Sequence, residues 1–190
     1  MQIYISGILY VLLIILIAGR TFLMYRRGIR AIVFSQTDKS GFILLSAVLF
    51  LAFTVLASIM GFPIWYRLMK PLWNTSVTGW LGLLLCAAAL VGIAIGLKSF
   101  KDSFRVGIDE HKPDALISDG LFSISRNPMY VCFMLFFLGM FLVHGNMLIT
   151  FAIIIFPFAV HRQILSEEVF LTKHYGKEYE DYCRKVRRYL

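Results

Sequence analysis

The amino-acid sequence predicts an all-α, polytopic membrane protein with about five transmembrane helices and a cytosolic C-terminal helical region. Hydrophobic residues make up 59% of the 190 residues and charged residues only 16%, unlike the composition of a soluble domain. Apolar runs of nearly bilayer-crossing length alternate with polar segments. The basic residues cluster beside those runs, which favours topology control and contact with membrane lipids over nucleic-acid binding.

The first part of the chain, residues 1–97, is predicted to be a scaffold of three transmembrane helices. Their apolar runs cover residues 3–19, 41–60 and 80–97. The third run contains Gly92 and Gly96 in a GxxxG spacing, which lets a neighbouring helix approach closely. We expect that neighbour to lie within the same bundle, because such pairs are common in polytopic proteins.

The second part, residues 98–190, is predicted to hold a polar connector, a helical hairpin and two further helices. The hairpin covers 128–160, its two apolar arms are short for vertical spans, and Pro157 is expected to kink the second arm. After it, a separate helix is expected from Glu167 to a cap at Gly176. The last helix is expected over about 177–186.

The distribution of charge predicts the orientation in the membrane. Seventeen of the 19 Lys and Arg residues, and all 11 acidic residues, follow the first, third and fifth predicted spans. Because cytosolic loops carry the excess of basic residues, we expect an outside N-terminus and a cytosolic C-terminus, in a bacterial or archaeal cell membrane. The connector and the segment after the hairpin then share one compartment.

A functional site is expected where the polar stretch LISDGLFSISRNPMY (116–130) enters the hairpin. A polar, glycine- and proline-punctuated stretch between apolar runs must lie where water or a ligand can satisfy it. Arg126 precedes the hairpin, and Arg162 and the pair Glu167-Glu168 follow it, so the two groups should be neighbours at one membrane face. No metal site is expected, because no HxxxH or HxE arrangement links His111, His144, His161 and His174.

These residues carry a resemblance to a known superfamily. LISDGLFSISRNPMYV, followed after two apolar runs by EEVFLTKHYGKEYEDYCRKVRRYL, resembles the C-terminal signature of the isoprenylcysteine carboxyl methyltransferase and phospholipid methyltransferase superfamily. The resemblance covers about residues 105–190. It implies an integral membrane methyltransferase that uses S-adenosyl-L-methionine and acts on a lipophilic small molecule or lipid. An isoprenylcysteine-like carboxylate, a phospholipid amine and a small thiol all remain open as acceptors.

The resemblance also implies roles for individual residues. Glu167 would hold the amino-acid moiety of the cofactor with support from Glu168, which would act as general base if the acceptor is an amine. Arg162 would orient a carboxylate acceptor. With Gly120 for a tight turn and Arg126 as a cation, the predicted cofactor-binding set is Leu116, Ile117, Gly120, Phe122, Arg126, Asn127, Pro128, Met129, Tyr130 and Glu167.

Position 127 departs from the carboxyl methyltransferase pattern, in which His is usual. An amide donates and accepts hydrogen bonds but does not titrate near neutral pH, so Asn127 suits binding better than proton transfer. Two alternatives to a methyltransferase remain. One is an NADPH-dependent enzyme like the membrane sterol and steroid reductases, whose C-terminal region looks similar; the other is a non-catalytic membrane scaffold or lipid-binding protein.

Overall fold

The computed structural model describes residues 1–28, 40–61, 66–73, 76–99 and 116–190, and these ranges are built from α-helices. The expected all-α class is confirmed. The helices are α1 (Gln2–Arg26), α2 (Ser40–Met60), the short α3 (Tyr66–Met69), α4 (Ser76–Ser99), α5 (Pro128–His144), α6 (Met147–Tyr175) and α7 (Lys177–Lys185), with a 3-10 helix at Gly120–Ser123. Residues 101–115, which carry most of the predicted connector, lie outside the described ranges.

Three of these helices, α1, α4 and α6, are long and apolar enough to cross a membrane, and Leu45–Met60 and Pro128–His144 are shorter apolar helices. Large apolar side chains cover their outward faces; Leu84 is 68% exposed and Phe158 is 71% exposed. Lipid is the solvent that such a surface requires. The chain is an integral membrane protein, and the total of about five spans stays a prediction.

Two hydrogen bonds show which helix ends lie together at one end of the bundle. At one end, Gln2 at the start of α1 donates to the Ser76 carbonyl at the start of α4 (2.8 Å). At the same end, Ser6 Oγ lies 2.9 Å from His144 Nε2 at the end of α5. We name this the turn end, because it holds the α5–α6 turn at residues 144–146. The opposite end, which holds residues 116–130 and 161–189, is the site end.

The seam between α4 and α5 is the closest helix contact of the bundle. A Cβ atom added to Gly139 of α5 would fall 2.6 Å from the carbonyl oxygen of Gly82 on α4. Further along the seam, Gly92 faces Cys132 and Gly96 faces Met129. The GxxxG pair therefore serves packing within the chain, as expected, and it lets α5 lie against α4 along its whole length.

One prediction about α6 was wrong. The structure has no new helix beginning at Glu167, because α6 continues without interruption from Met147 to Tyr175. No glycine or proline separates Pro157 from Gly176, so nothing after the proline ends the helix, and Gly176 caps it with φ +53° as expected. The kink at Pro157 stays a prediction.

The hairpin arms consequently differ in length. At 1.5 Å per residue, the 17 residues of α5 span about 25 Å and the 29 residues of α6 span about 43 Å. The second arm is therefore not short, contrary to expectation. Both arms leave the same turn, so the last part of α6 extends about 18 Å past the start of α5 at the site end. Glu167 and Glu168 lie on this extension.

Candidate active site

Local chain geometry brings residues 119–130 to the mouth of the hairpin. Gly120 adopts a left-handed φ of +60° and opens the 3-10 helix, a conformation that glycine adopts without steric cost. Phe122 is buried, and its carbonyl accepts a 2.6 Å hydrogen bond from Tyr182 on α7. Pro128 then begins α5 at a position where its missing N–H costs nothing.

The two halves of the predicted site meet through Tyr130 and Glu167. Tyr130 Oη on α5 donates a 2.6 Å hydrogen bond to Glu167 Oε1 on α6. Gln163 lies one turn before Glu167 on α6, and its Nε2 donates to the same oxygen at 3.2 Å. The expected proximity of 126–128 and 161–168 is confirmed by the contact between Arg126 and Glu168. Sequence reasoning did not select Gln163, a polar side chain that the structure buries to 6% exposure.

Glu168 lies between two arginines. Arg188 binds it in bidentate fashion, with Nη2 2.7 Å from Oε2 and Nε 3.0 Å from Oε1. Arg126 Nη1 lies 3.3 Å from Oε1, and the Arg126 and Glu168 side chains are each only 13% exposed. Both carboxylate oxygens of Glu168 therefore accept hydrogen bonds from guanidinium groups. The guanidinium of Arg126 also contacts the Cys183 thiol.

Residues 186–189, here called the return segment, connect α7 back to the start of α5. The Arg126 N–H donates to the Arg187 carbonyl (2.9 Å), and Asn127 Nδ2 donates to the Arg188 carbonyl (3.1 Å). Tyr189 Oη lies 2.6 Å from His161 Nδ1 on α6. Sequence reasoning missed this segment as part of the site. The available signal was VRRYL, which ends the second half of the motif.

Several predicted residues lie at the site end but contact packing partners rather than the Tyr130–Glu167 pair. Leu116 packs with Tyr179 and Tyr182 of α7. Met129 packs on the bundle core opposite Gly96, and Ile117 is half-buried. The Leu116 contact follows from the return of α7 towards the start of α5, and the Met129 contact belongs to the α4–α5 seam.

Arg162 is not on the same face of α6 as Glu167. Five residues separate them, which corresponds to about 140° around the helix axis, and Arg162 is exposed. Gln163, at the four-residue spacing, takes the position next to the carboxylate. An acceptor bound by both Arg162 and Glu167 would have to bridge two faces of α6.

Burial perturbs the acid–base behaviour of the groups around α7. Desolvation raises the pKa of Tyr182 to about 12, partly opposed by the nearby Arg126 cation. Burial also raises the pKa of Tyr179, with the Glu168 charge adding to the shift. The hydrogen bond to Glu168 raises the pKa of Arg188. Tyr179, Tyr182 and Arg188 thus keep a fixed protonation state near neutral pH.

Comparison with known proteins agrees with the predicted resemblance. The phospholipid methyltransferase family matches residues 77–178, more than half of the chain. A protein-S-isoprenylcysteine O-methyltransferase from Schizosaccharomyces pombe is 33% identical over 118 residues, which cover 60% of this chain and 48% of that protein. A probable protein-S-isoprenylcysteine O-methyltransferase from Oryza sativa subsp. indica is 30% identical over 123 residues, 62% of each chain.

The matched region begins at α4 and ends at the start of α7, so it contains the α4–α5 seam, the hairpin and both glutamates. A third relative, protein-S-isoprenylcysteine O-methyltransferase B from Arabidopsis thaliana, is 29% identical over 91 residues, 47% of this chain and 45% of that protein. The chain therefore spans about half to three fifths of the length of these relatives. The family match confirms the predicted superfamily, and the chain belongs to the phospholipid methyltransferase family.

Proposed function

We propose that this protein transfers a methyl group from S-adenosyl-L-methionine to a lipophilic acceptor at the site end. The observation that carries the proposal is the family match over residues 77–178. The 2.6 Å contact between Tyr130 and Glu167 supports it, because it joins the two separated halves of the signature inside that region.

The charges at the site end fit the amino-acid moiety of this cofactor, which carries an ammonium and a carboxylate. Glu167 supplies a carboxylate for the ammonium. Arg126 supplies a guanidinium, and its buried Nε has no hydrogen-bond partner among the described residues. A buried hydrogen-bond donor that lacks an acceptor favours the binding of an anionic group. When bound, the cofactor would supply an electrophilic methyl group on its sulfonium sulfur.

The protein's own contribution would be positioning and exclusion of water. Tyr130 and Gln163 fix the orientation of the Glu167 carboxylate, and the closely packed α4 and α5 hold Tyr130 on a rigid element. Binding the reactants in one geometry and at fixed charges is sufficient for this kind of transfer, because no covalent enzyme intermediate is required.

An isoprenylcysteine-like carboxylate is the acceptor that we favour. A carboxylate needs no deprotonation, whereas an ammonium group must first lose a proton to a base. Glu168, the base considered for an amine, accepts bonds from two arginines, which disfavours that role. The names of the relatives point the same way. The exposed Arg162 would then orient the acceptor at the membrane surface.

The membrane arrangement is part of the proposal. We place the site end in the cytosol and the N-terminus outside, because the basic residues cluster at the site end of the bundle. Residues 1–97 would act as a scaffold and residues 98–190 as the catalytic region. Helix α4 would support the catalytic region because α5 packs against it. Reporter fusions at each end test the orientation; activity of a cytosolic reporter at the N-terminus would contradict it.

Purified protein titrated with S-adenosylhomocysteine and separately with NADPH tests the cofactor. We expect binding of S-adenosylhomocysteine, and transfer of a labelled methyl group to a prenylcysteine in preference to phosphatidylethanolamine or a small thiol. Binding of NADPH alone would instead indicate a reductase. Binding of neither would support a scaffold or lipid-binding role.

A further inference from the structure

The return segment forms a continuous connection between α7 and the start of α5, and it lies beyond the family match, which ends at residue 178. Backbone pairing joins Ser125 to Arg187 in a parallel bridge, and the Arg126 N–H donates to the Arg187 carbonyl at 2.9 Å. At its other side, Tyr189 contacts His161 on α6. This short segment thus ties the two arms of the hairpin together at the site end.

The side chain of Asn127 shows that this connection is specific. Asn127 is the N-cap residue of α5, a position where Asn normally accepts a hydrogen bond from the first turn. No such side-chain bond is formed here. Asn127 Nδ2 instead donates to the Arg188 carbonyl at 3.1 Å, and Ser125 Oγ contacts the same carbonyl at 3.4 Å. Asn127, which lies between Arg126 and Pro128, therefore binds the return segment.

The side chain of Arg188 makes the second connection. It binds both oxygens of Glu168, and Glu168 in turn lies 3.3 Å from Arg126. With Arg188 in place, the Glu168 carboxylate has two cationic partners and stays beside Arg126. Without it, a carboxylate that is only 13% exposed would lose its bidentate partner, and the position of Arg126 would no longer be set by a fixed anion.

We infer that the return segment is a positioning element of the site, and that Asn127 and Arg188 are its two positioning residues. Asn127 acts through its bond to the Arg188 backbone, and Arg188 acts through Glu168; neither contacts the reacting atoms. This inference rests on the proposed function. It also explains how an amide serves at a position where the carboxyl methyltransferases usually carry His: the position requires an N–H donor, and both side chains provide one.

Substitutions at Asn127 test the first connection. Asn127→Leu removes the donor, so we expect the dissociation constant for S-adenosylhomocysteine to rise roughly three- to tenfold, with faster hydrogen exchange in the peptide containing Arg126. Asn127→His keeps a donor, so both values should stay within about twofold of the wild type. Its pH profile of methyl transfer should also match that of the wild type.

Two outcomes at Asn127 would overturn the inference. One is a His variant that behaves like the Leu variant, because the position would then need an amide for some other contact. The other is a new titration near pH 6.5 in the rate of the His variant, because it would place the side chain in contact with a reacting group.

Substitution of Arg188 tests the second connection, and Arg184 provides the matched control. Arg184→Met removes a guanidinium that is 76% exposed and pairs with Asp181, three residues before it on α7, so it should change neither binding nor exchange. Arg188→Met should raise the dissociation constant about tenfold or more and speed exchange around Arg126. Arg188→Lys should restore part of the affinity, since it keeps the charge but loses the bidentate geometry.

Binding of S-adenosylhomocysteine to the wild-type protein separates this inference from the proposed function. If wild-type protein does not bind S-adenosylhomocysteine, the proposed function fails, and the positioning role fails with it even where the exchange around Arg126 responds to Arg188→Met. If wild-type protein binds the ligand while Arg188→Met changes neither its affinity nor the exchange, the proposed function stands and the positioning role is overturned.

Discussion

The two regions that α5 touches are built on different principles. Along the seam with α4 the contacts are steric: glycines let backbones approach until a single methyl group would not fit. At the site end the contacts are polar, and they join α5, α6 and the return segment through Tyr130, Glu168 and Arg188. The seam makes α5 rigid, and the site end uses that rigid helix to orient charge.

This difference predicts which substitutions should reduce stability and which should reduce ligand binding alone. A change in the seam has to displace backbone, so it should reduce stability and function together. A change at the site end removes a donor or a charge from a partly buried polar cluster without displacing backbone, so it should reduce ligand binding while the fold survives. The four predictions below test that separation.

Gly139→Ala should cause the largest effect. The added Cβ would meet the Gly82 carbonyl at 2.6 Å and the Cys86 backbone N at 2.9 Å, so we expect destabilisation of about 1–3 kcal/mol or more, measured by thermal unfolding in detergent. Gly19→Ala is the matched control, because its new Cβ would meet no atom within 4 Å among the described residues, its own helix backbone and chain neighbours aside. Equal stability of the two variants would show that the seam is not sterically fixed.

Glu167→Gln should abolish most ligand binding without unfolding the protein. It keeps the shape of the side chain but removes the charge proposed to bind the cofactor's ammonium, so affinity for S-adenosylhomocysteine should fall roughly tenfold to a hundredfold. The exposed Glu180→Gln on α7 serves as control. A Glu167 variant with wild-type affinity but a lower unfolding temperature would assign this carboxylate to stability alone.

Alkaline pH should weaken the contact between α7 and the 3-10 helix. The pKa of Tyr182 is raised by burial to about 12, above about 10 for an unfolded tyrosine. The stabilisation is thus fully present below pH 10 and is lost as the pH rises towards 12, by on the order of 1 kcal/mol per pH unit.

Tyr182→Phe is the reference for this experiment, because it lacks the titrating hydroxyl. It should be less stable than the wild type at pH 8, and the difference in the free energy of unfolding should shrink between pH 10 and 12. A difference that stays constant over this interval would contradict the buried, hydrogen-bonded hydroxyl.

Tyr130→Phe should have the smallest effect on binding. It removes one of two neutral donors to Glu167 while Gln163 remains, so affinity for S-adenosylhomocysteine should fall about three- to tenfold. Tyr4→Phe, at a side chain that is 63% exposed on the far end of the bundle, is the control. A loss as large as that of Glu167→Gln would mean that Tyr130 itself contacts the ligand.

The sequence predicted those features of the fold that depend on the pattern of residue types along the chain. Apolar runs predicted the helices, and the positions of the polar segments predicted that residues 116–130 would meet Glu167. Small residues in α4 predicted a close helix contact, and Gly176 predicted the end of α6. Each of these depends on local sequence or on its order along the chain.

The sequence did not predict what depends on tertiary contact. The continuation of α6 past residue 160, where the second hairpin arm was expected to end, requires only that nothing after Pro157 breaks the helix, whereas the charged residues from Glu167 predicted a separate helix. The bond from Asn127 to the Arg188 carbonyl depends on where α7 directs the chain. The sequence also did not predict the face of α6 on which Arg162 lies, because that face depends on a single helix carrying both Arg162 and Glu167.

Calorimetric titration of the wild-type protein with S-adenosylhomocysteine, beside Glu167→Gln under the same conditions, tests the central claim most directly. The proposed function predicts saturable binding to the wild type that Glu167→Gln weakens at least about tenfold, and no binding of NADPH to either protein. Binding of NADPH to the wild type with no heat from S-adenosylhomocysteine would contradict it.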